Sequence, residues 1–201
     1  MKNKLKFFKT ITLSLFFSLV LHSAHASLLQ YEPSGKALES IPLFKIAQDK
    51  KTDSNIELKE IGAGVRSKKV TIINIKVYVA QLFATQPELF VRTAEGALDS
   101  LTHQKEIAIR LDFLRNIDAQ SLQNSFKEAL LANQVNLEDP TIQKVLNALA
   151  NSGFASEGKF ITLLGEKLQN GNERISLEDT NGKVTQIDCS NFFQFDITLC
   201  L

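Results

Sequence analysis

Few side chains after position 26 have the types and spacing that chemistry requires. His103 is the lone histidine there, set in a polar turn with no cysteine or carboxylate at metal-ligand spacing, so a zinc or iron site has no support. A Ser-His-Asp arrangement would need that same histidine, and no Gly-x-Ser-x-Gly turn exists to present a serine. His103 is therefore expected as an exposed loop residue. Gly62-Ala63-Gly64 lacks both the Gly-Lys-Ser/Thr ending of a phosphate loop and the third glycine of a dinucleotide fold. Asp112 and Asp118 lie in one region, but their spacing does not set them face to face, so a glycosidase-type pair is unsupported. A solvated strand face accounts for Asp112 and a helix N-cap for Asp118. No cofactor and no metal are expected.

The two cysteines, Cys189 and Cys200, both fall near the end of the chain. A bridge between them would close a loop of about a dozen residues, worth roughly 3 kcal/mol in the chain-entropy model. Two unpaired or buried thiols fit the sequence equally. Cys-x-x-Cys is absent, so redox catalysis has no support.

The ends and the composition set the frame for these residues. Lys2, Lys4, Lys6 and Lys9 precede the mostly apolar run Ile11 to Leu21, and Ala24-His25-Ala26 follows it. That order is a signal peptide's, with cleavage after Ala26. The competing membrane anchor needs about 20 apolar residues, roughly twice this run. The chain is thus read as a presequence, 1–26, and one domain, 27–201, working in the periplasm or secreted, with no membrane span after cleavage. Loss of the four lysines leaves 19 basic against 22 acidic residues, a net charge of −3 with histidine neutral. The best basic cluster, Arg66 with Lys68 and Lys69, is too small for a nucleic-acid footprint, so no nucleic-acid partner is expected.

The elements follow from hydrophobic period. Ser27 to about Gly35 reads as irregular, Ile41 to Ile46 with Pro42 as a short edge strand, and 50–54 as a polar turn. Ile56, Leu58 and Ile61 open a strand that runs into Gly62-Ala63-Gly64-Val65-Arg66, where the glycines predict a bulge or a close backbone approach. Ser67-Lys68-Lys69 reads as a hairpin tip, and Val70 to Phe83 as the strongest strand in the chain. Its face of Thr71, Ile73, Ile75, Val77 and Val79 reads as core; the face with Val70, Ile72, Asn74, Lys76, Tyr78 and Ala80 has the mixed pattern of a cleft wall or a part-solvated sheet.

A short helix is expected over Ala94 to Leu101, and a half-buried strand over Glu106 to Leu114. Two helices follow, one capped by Asp118 with Leu122, Phe126, Ala129 and Leu130 on its stripe, the other capped by Asp139 with Pro140 in its first turn. A less marked helix is expected over Phe160 to Leu168. Asn181-Gly182 between two β-branched runs predicts a closing hairpin. The order gives an α+β domain whose mostly antiparallel sheet is covered on one face by helices.

The stretches Gly62-Ala63-Gly64-Val65-Arg66-Ser67-Lys68 and Lys76-Val77-Tyr78-Val79-Ala80-Gln81-Leu82-Phe83 resemble the signature hairpin of the chalcone isomerase-like family, whose bacterial exported members the chain is similar to from about Ile56 to Phe193. The resemblance implies an open-faced β-sandwich, a long antiparallel sheet with helices layered on it and a ligand cleft between. In the family's fatty-acid binders, the arginine of Gly-x-Arg and the tyrosine of Lys-Val-Tyr hold the ligand carboxylate; here Arg66 and Tyr78 match both. A guanidinium can grip a carboxylate with two parallel hydrogen bonds and a phenol can add a third.

Three functions follow from the resemblance: a binder of a fatty acid or similar apolar carboxylate, an isomerase acting on a phenolic substrate, and a non-catalytic protein-interaction module with a vestigial cleft. The isomerase pattern is incomplete. Its threonine five residues before the tyrosine is Ile73 here, and its helical tyrosine and asparagine align roughly with Leu122 and Ala129. Family members also usually continue past the Phe192-Phe193 region into an apolar helix, whereas this chain stops at Leu201; with that helix missing, an uncovered part of the core would imply a protein partner, a swapped element or marginal stability.

Overall fold

The computed structural model describes residues 27–49, 56–153 and 155–189. The presequence, the polar turn at 50–54, Cys200 and the Phe192-Phe193 region fall outside them, and with them the cleavage site and the Cys189–Cys200 pairing. Eight strands form one antiparallel sheet in chain order: β1 (Leu29–Leu38), β2 (Ile41–Asp49), β3 (Ile56–Val70), β4 (Ile73–Ala84), β5 (Glu106–Phe113), β6 (Phe160–Lys167), β7 (Glu173–Glu178) and β8 (Val184–Cys189). Helix α1 (Ala94–Thr102) joins β4 to β5, and α2 (Ala119–Ala132) with α3 (Pro140–Ala150) joins β5 to β6.

Each helix starts where a side chain supplies the missing acceptor for its first amides. Thr93 accepts from the Gly96 amide, Asp118 from Ser121, and Asp139 from Thr141 and Ile142. The apolar stripes then decide where the helices lie. Leu122, Phe126 and Leu130 of α2, with Ile142, Val145, Leu146 and Leu149 of α3, pack on Ile107, Ile109, Leu111 and Phe113 of β5 and Ile161 and Leu163 of β6. Burying one such leucine contributes about 1.5–3 kcal/mol, and cutting Leu146 to alanine is expected to cost about 2–5 kcal/mol.

The opposite face of the sheet closes on itself. Tyr31 of β1 meets Thr162 of β6, with 3.1 Å between their hydroxyl oxygens, and Ser27 donates to Glu178 at the end of β7. Leu29, Ala47, Leu58, Phe83, Ala108 and Leu164 make a second core there. Strands five places apart in the order touch only if the sheet curls, so the architecture is a half-barrel with helices outside rather than the expected open-faced sandwich. Register shifts at Glu32/Pro33 and Pro33/Ala37, and in the β3–β4 pair at Glu60/Gly62 and Arg66/Ser67, supply local bends. The α+β class and the antiparallel sheet with helices over one face are as the sequence implies.

Several local expectations are corrected. Ser27 to Gly35 is mostly strand, because Pro33 sits at a register shift where a missing amide does least harm. That makes β2 interior instead of an edge. The stretch read as a helix over Phe160 to Leu168 is instead β6 (Phe160–Lys167): it is buried on both faces, which erases the alternation that marks a strand. The β3–β4 tip is Thr71-Ile72 and not Ser67 to Lys69, with Thr71 in the left-handed region at φ 58°. Ile72 and Ile73 consequently stand 87 % and 63 % exposed at the tip, so the core face of β4 begins only beyond them. β5 is buried on both faces rather than one, and Asp112 is buried in an ion pair with Arg110 instead of solvated. His103 is exposed, at the C-cap of α1.

Candidate functional site

The β3–β4 pair sets Gly62 opposite Leu82, Gly64 opposite Ala80 and Arg66 opposite Tyr78. A cleft of about 670 Å³ opens over these residues, and its far wall is the C-terminal part of α2, Glu128, Ala129 and Ala132, with Asn133 beyond it. Phe90 and Arg92, on the segment leading into α1, close one side. Of the β4 face read as a cleft wall or a part-solvated sheet, Tyr78 and Ala80 line this cleft, while Asn74 and Lys76 are solvent-exposed.

Glycine keeps the floor open. A Cβ built on Gly64 would meet nothing within 4 Å, so that position faces the space of the cleft. At the register shift beside Gly62, the Ile61 carbonyl accepts from the Arg92 Nη2 at 2.5 Å. Arg92 thereby satisfies a backbone group at the point where the ladder is irregular.

The two residues singled out by the motifs differ in setting. Tyr78 is buried, and its ring meets Phe113 edge-on at 6.2 Å and 85°, which fixes its orientation. Arg66 is exposed on the same cleft and, among the described residues, makes no hydrogen bond or ion pair. A cation on the rim, a phenol deeper in, and walls of Ile61, Leu82, Phe90 and Ile109 suit a ligand with an anionic head and an apolar body.

Sequence reasoning missed Arg92, Glu128 and Asn133, since nothing in their local pattern says that α2 and the 90–92 segment lie over β3. Of the positions compared with the isomerase pattern, Ala129 lines the cleft, Leu122 is in the core, and Ile73 is at the exposed hairpin tip. A second hollow of about 630 Å³ between α3 and the β7–β8 hairpin has a more polar lining that includes Lys144, Asn151, Asp179, Lys183 and Asp188.

No protein-family model matches the chain, and no curated protein does. Among solved structures, the crystal structure of a fatty-acid binding protein from Arabidopsis thaliana is similar to it with a TM-score of 0.48 and 16% identity, over 74% of this chain and 77% of that one.

Proposed function

We propose that this protein is an exported, non-catalytic binder of an apolar carboxylate, a fatty acid or a close analogue, with Arg66 and Tyr78 at the head group. The observation that carries the reading is the direct opposition of Arg66 and Tyr78 on paired strands, at one cleft with a glycine-opened floor and apolar walls. The cleft volume lies within the range of about 300–1,000 Å³ usual for small-ligand sites. An isomerase would need further polar groups to order a water or stabilise a phenolate, and the positions compared for that role are Leu122, Ala129 and Ile73.

The test is displacement of a fluorescent fatty acid from the purified protein and from its Arg66→Ala variant. Loss of the guanidinium is expected to weaken binding by about 1.5–3 kcal/mol, the range for hydrogen bonds to a charged group. Unchanged affinity in the variant removes the head-group assignment, and a wild-type protein that ignores fatty acids removes the binding function. Export has its own check: the protein recovered from outside the cytoplasm is expected to begin at Ser27.

A further inference from the structure

At the end of the half-barrel where β2 finishes and β5 begins, three acids meet on the inner face. Asp49 is the last residue of β2, Glu106 the first of β5, and Glu166 lies next to the last residue of β6. Their relative exposures are 0 %, 3 % and 8 %. Glu106 and Glu166 are direct cross-strand partners, a pairing of like charges that normally destabilises a sheet. One carboxylate oxygen from each of the three residues lies within 4.8 Å of those from the other two.

The Glu106 Oε2 is buried and has no hydrogen-bond partner. An orphaned carboxylate oxygen in a closed interior costs free energy unless something cationic faces it. Among the described residues, no cationic side chain donates a hydrogen bond to that oxygen. Arg174, the register partner of Glu166, directs its Nε to Asp188 at 2.7 Å, and Lys105 is exposed. The Ser176 hydroxyl reaches Glu166 only at 3.5 Å.

We propose that Asp49, Glu106 and Glu166 form a site for one hard divalent cation, calcium before magnesium or zinc. All the donors are carboxylate oxygens, with no imidazole or thiolate to favour zinc. Oxygens bound to one calcium at about 2.3–2.6 Å can stand up to about 5 Å apart, whereas the tighter shell of magnesium, at about 2.0–2.1 Å, demands a smaller spread. Carboxylates from three strands supply part of the shell, and water taken up with the ion completes it. Three carboxylates gathered in one buried spot repel one another, a strain that a bound cation relieves. The site lies away from the Arg66–Tyr78 cleft, so the ion is structural: it pins β2, β5 and β6 together at one end of the barrel.

The experiment is calorimetric titration of calcium, and separately of magnesium and zinc, into the mature protein stripped with a chelator, paired with melting curves. Saturable calcium binding at one ion per chain and a higher melting temperature, reversed by the chelator, are expected. Glu106→Gln is expected to weaken calcium binding at least about tenfold by removing a charged ligand, while melting at or above the calcium-free wild type because the like-charge pair is gone. Should that variant fail to fold, Glu166→Gln reads the same loss. Absence of both heat and melting shift with calcium overturns the site, as does a folded variant that keeps the wild-type response, or zinc binding in preference to calcium.

Discussion

Arg110 and Asp112 stand two residues apart on the inner face of β5 and close a two-pronged ion pair, Nε to Oδ2 at 2.8 Å and Nη2 to Oδ1 at 2.7 Å. The guanidinium carbon also lies 3.6 Å from the Phe160 ring centroid, 4.6 Å from Tyr31 and 4.7 Å from Phe44. The arginine therefore ties β5 to β1, β2 and β6 across the curl, and its charge is spoken for by Asp112 and three ring faces. It is a structural arginine, whereas Arg66 stands exposed at the cleft.

Removing one partner of this pair strands the other charge in the interior. Asp112→Ala is expected to destabilise the protein by about 3–5 kcal/mol in a denaturant melt, whereas Arg110→Met combined with Asp112→Leu is expected to recover most of that loss. A double variant no more stable than the single would show that the pair itself, and not the uncompensated charge, holds the curl.

Tyr31 carries a strongly perturbed phenol. Burial pushes it up to about 12, against the lowering effects of the Thr162 hydrogen bond and the Arg110 charge. The chain has only two tyrosines, so a Tyr78→Phe variant isolates Tyr31 in an alkaline absorbance titration. The unfolded chain loses this proton near 10 and the folded chain near 12. Between those values the folded state holds more protons, so stability falls as pH rises through that window. A midpoint near 10 in the folded protein would contradict the burial of this ring.

Gly64→Leu places a side chain into the cleft without opposing backbone, since the position is open and is not a left-handed glycine. The variant is expected to melt at or slightly above the wild-type temperature, because glycine within a strand costs about 0.5–1 kcal/mol relative to alanine. Its fatty-acid affinity is expected to fall at least about tenfold, as the leucine occupies ligand space. Undiminished binding would move the ligand out of this cleft.

Asp139 caps α3 through Oδ1, which accepts from Thr141 at 2.7 Å and from Ile142 at 3.3 Å. Asp139→Ala is expected to cost about 1 kcal/mol in thermal or denaturant melts. Because α2, and not α3, lines the cleft, ligand affinity should be unchanged in the folded fraction.

The amino-acid sequence alone marked the three helices and the N-caps of α2 and α3, though not the Thr93 cap of α1, because Asp118, Asp139 and Pro140 act through bonds within a few residues of themselves and the apolar stripes are periodic over two or three turns. It also marked Arg66 and Tyr78 by motif and the hairpin around Asn181-Gly182 by turn chemistry. What it hid depends on residues far apart in the chain. β6 looked helical and β5 half-exposed because the curl buries both faces of each strand, and no local pattern announces a second buried face. Asp112 looked solvated for the same reason. The cleft's far wall, the Arg110 aromatic enclosure and the meeting of Asp49, Glu106 and Glu166 exist only once β1 folds round toward β6 and α2 lies over β3. Local hydrogen bonding and period fix elements; only long-range packing decides which charges share an interior.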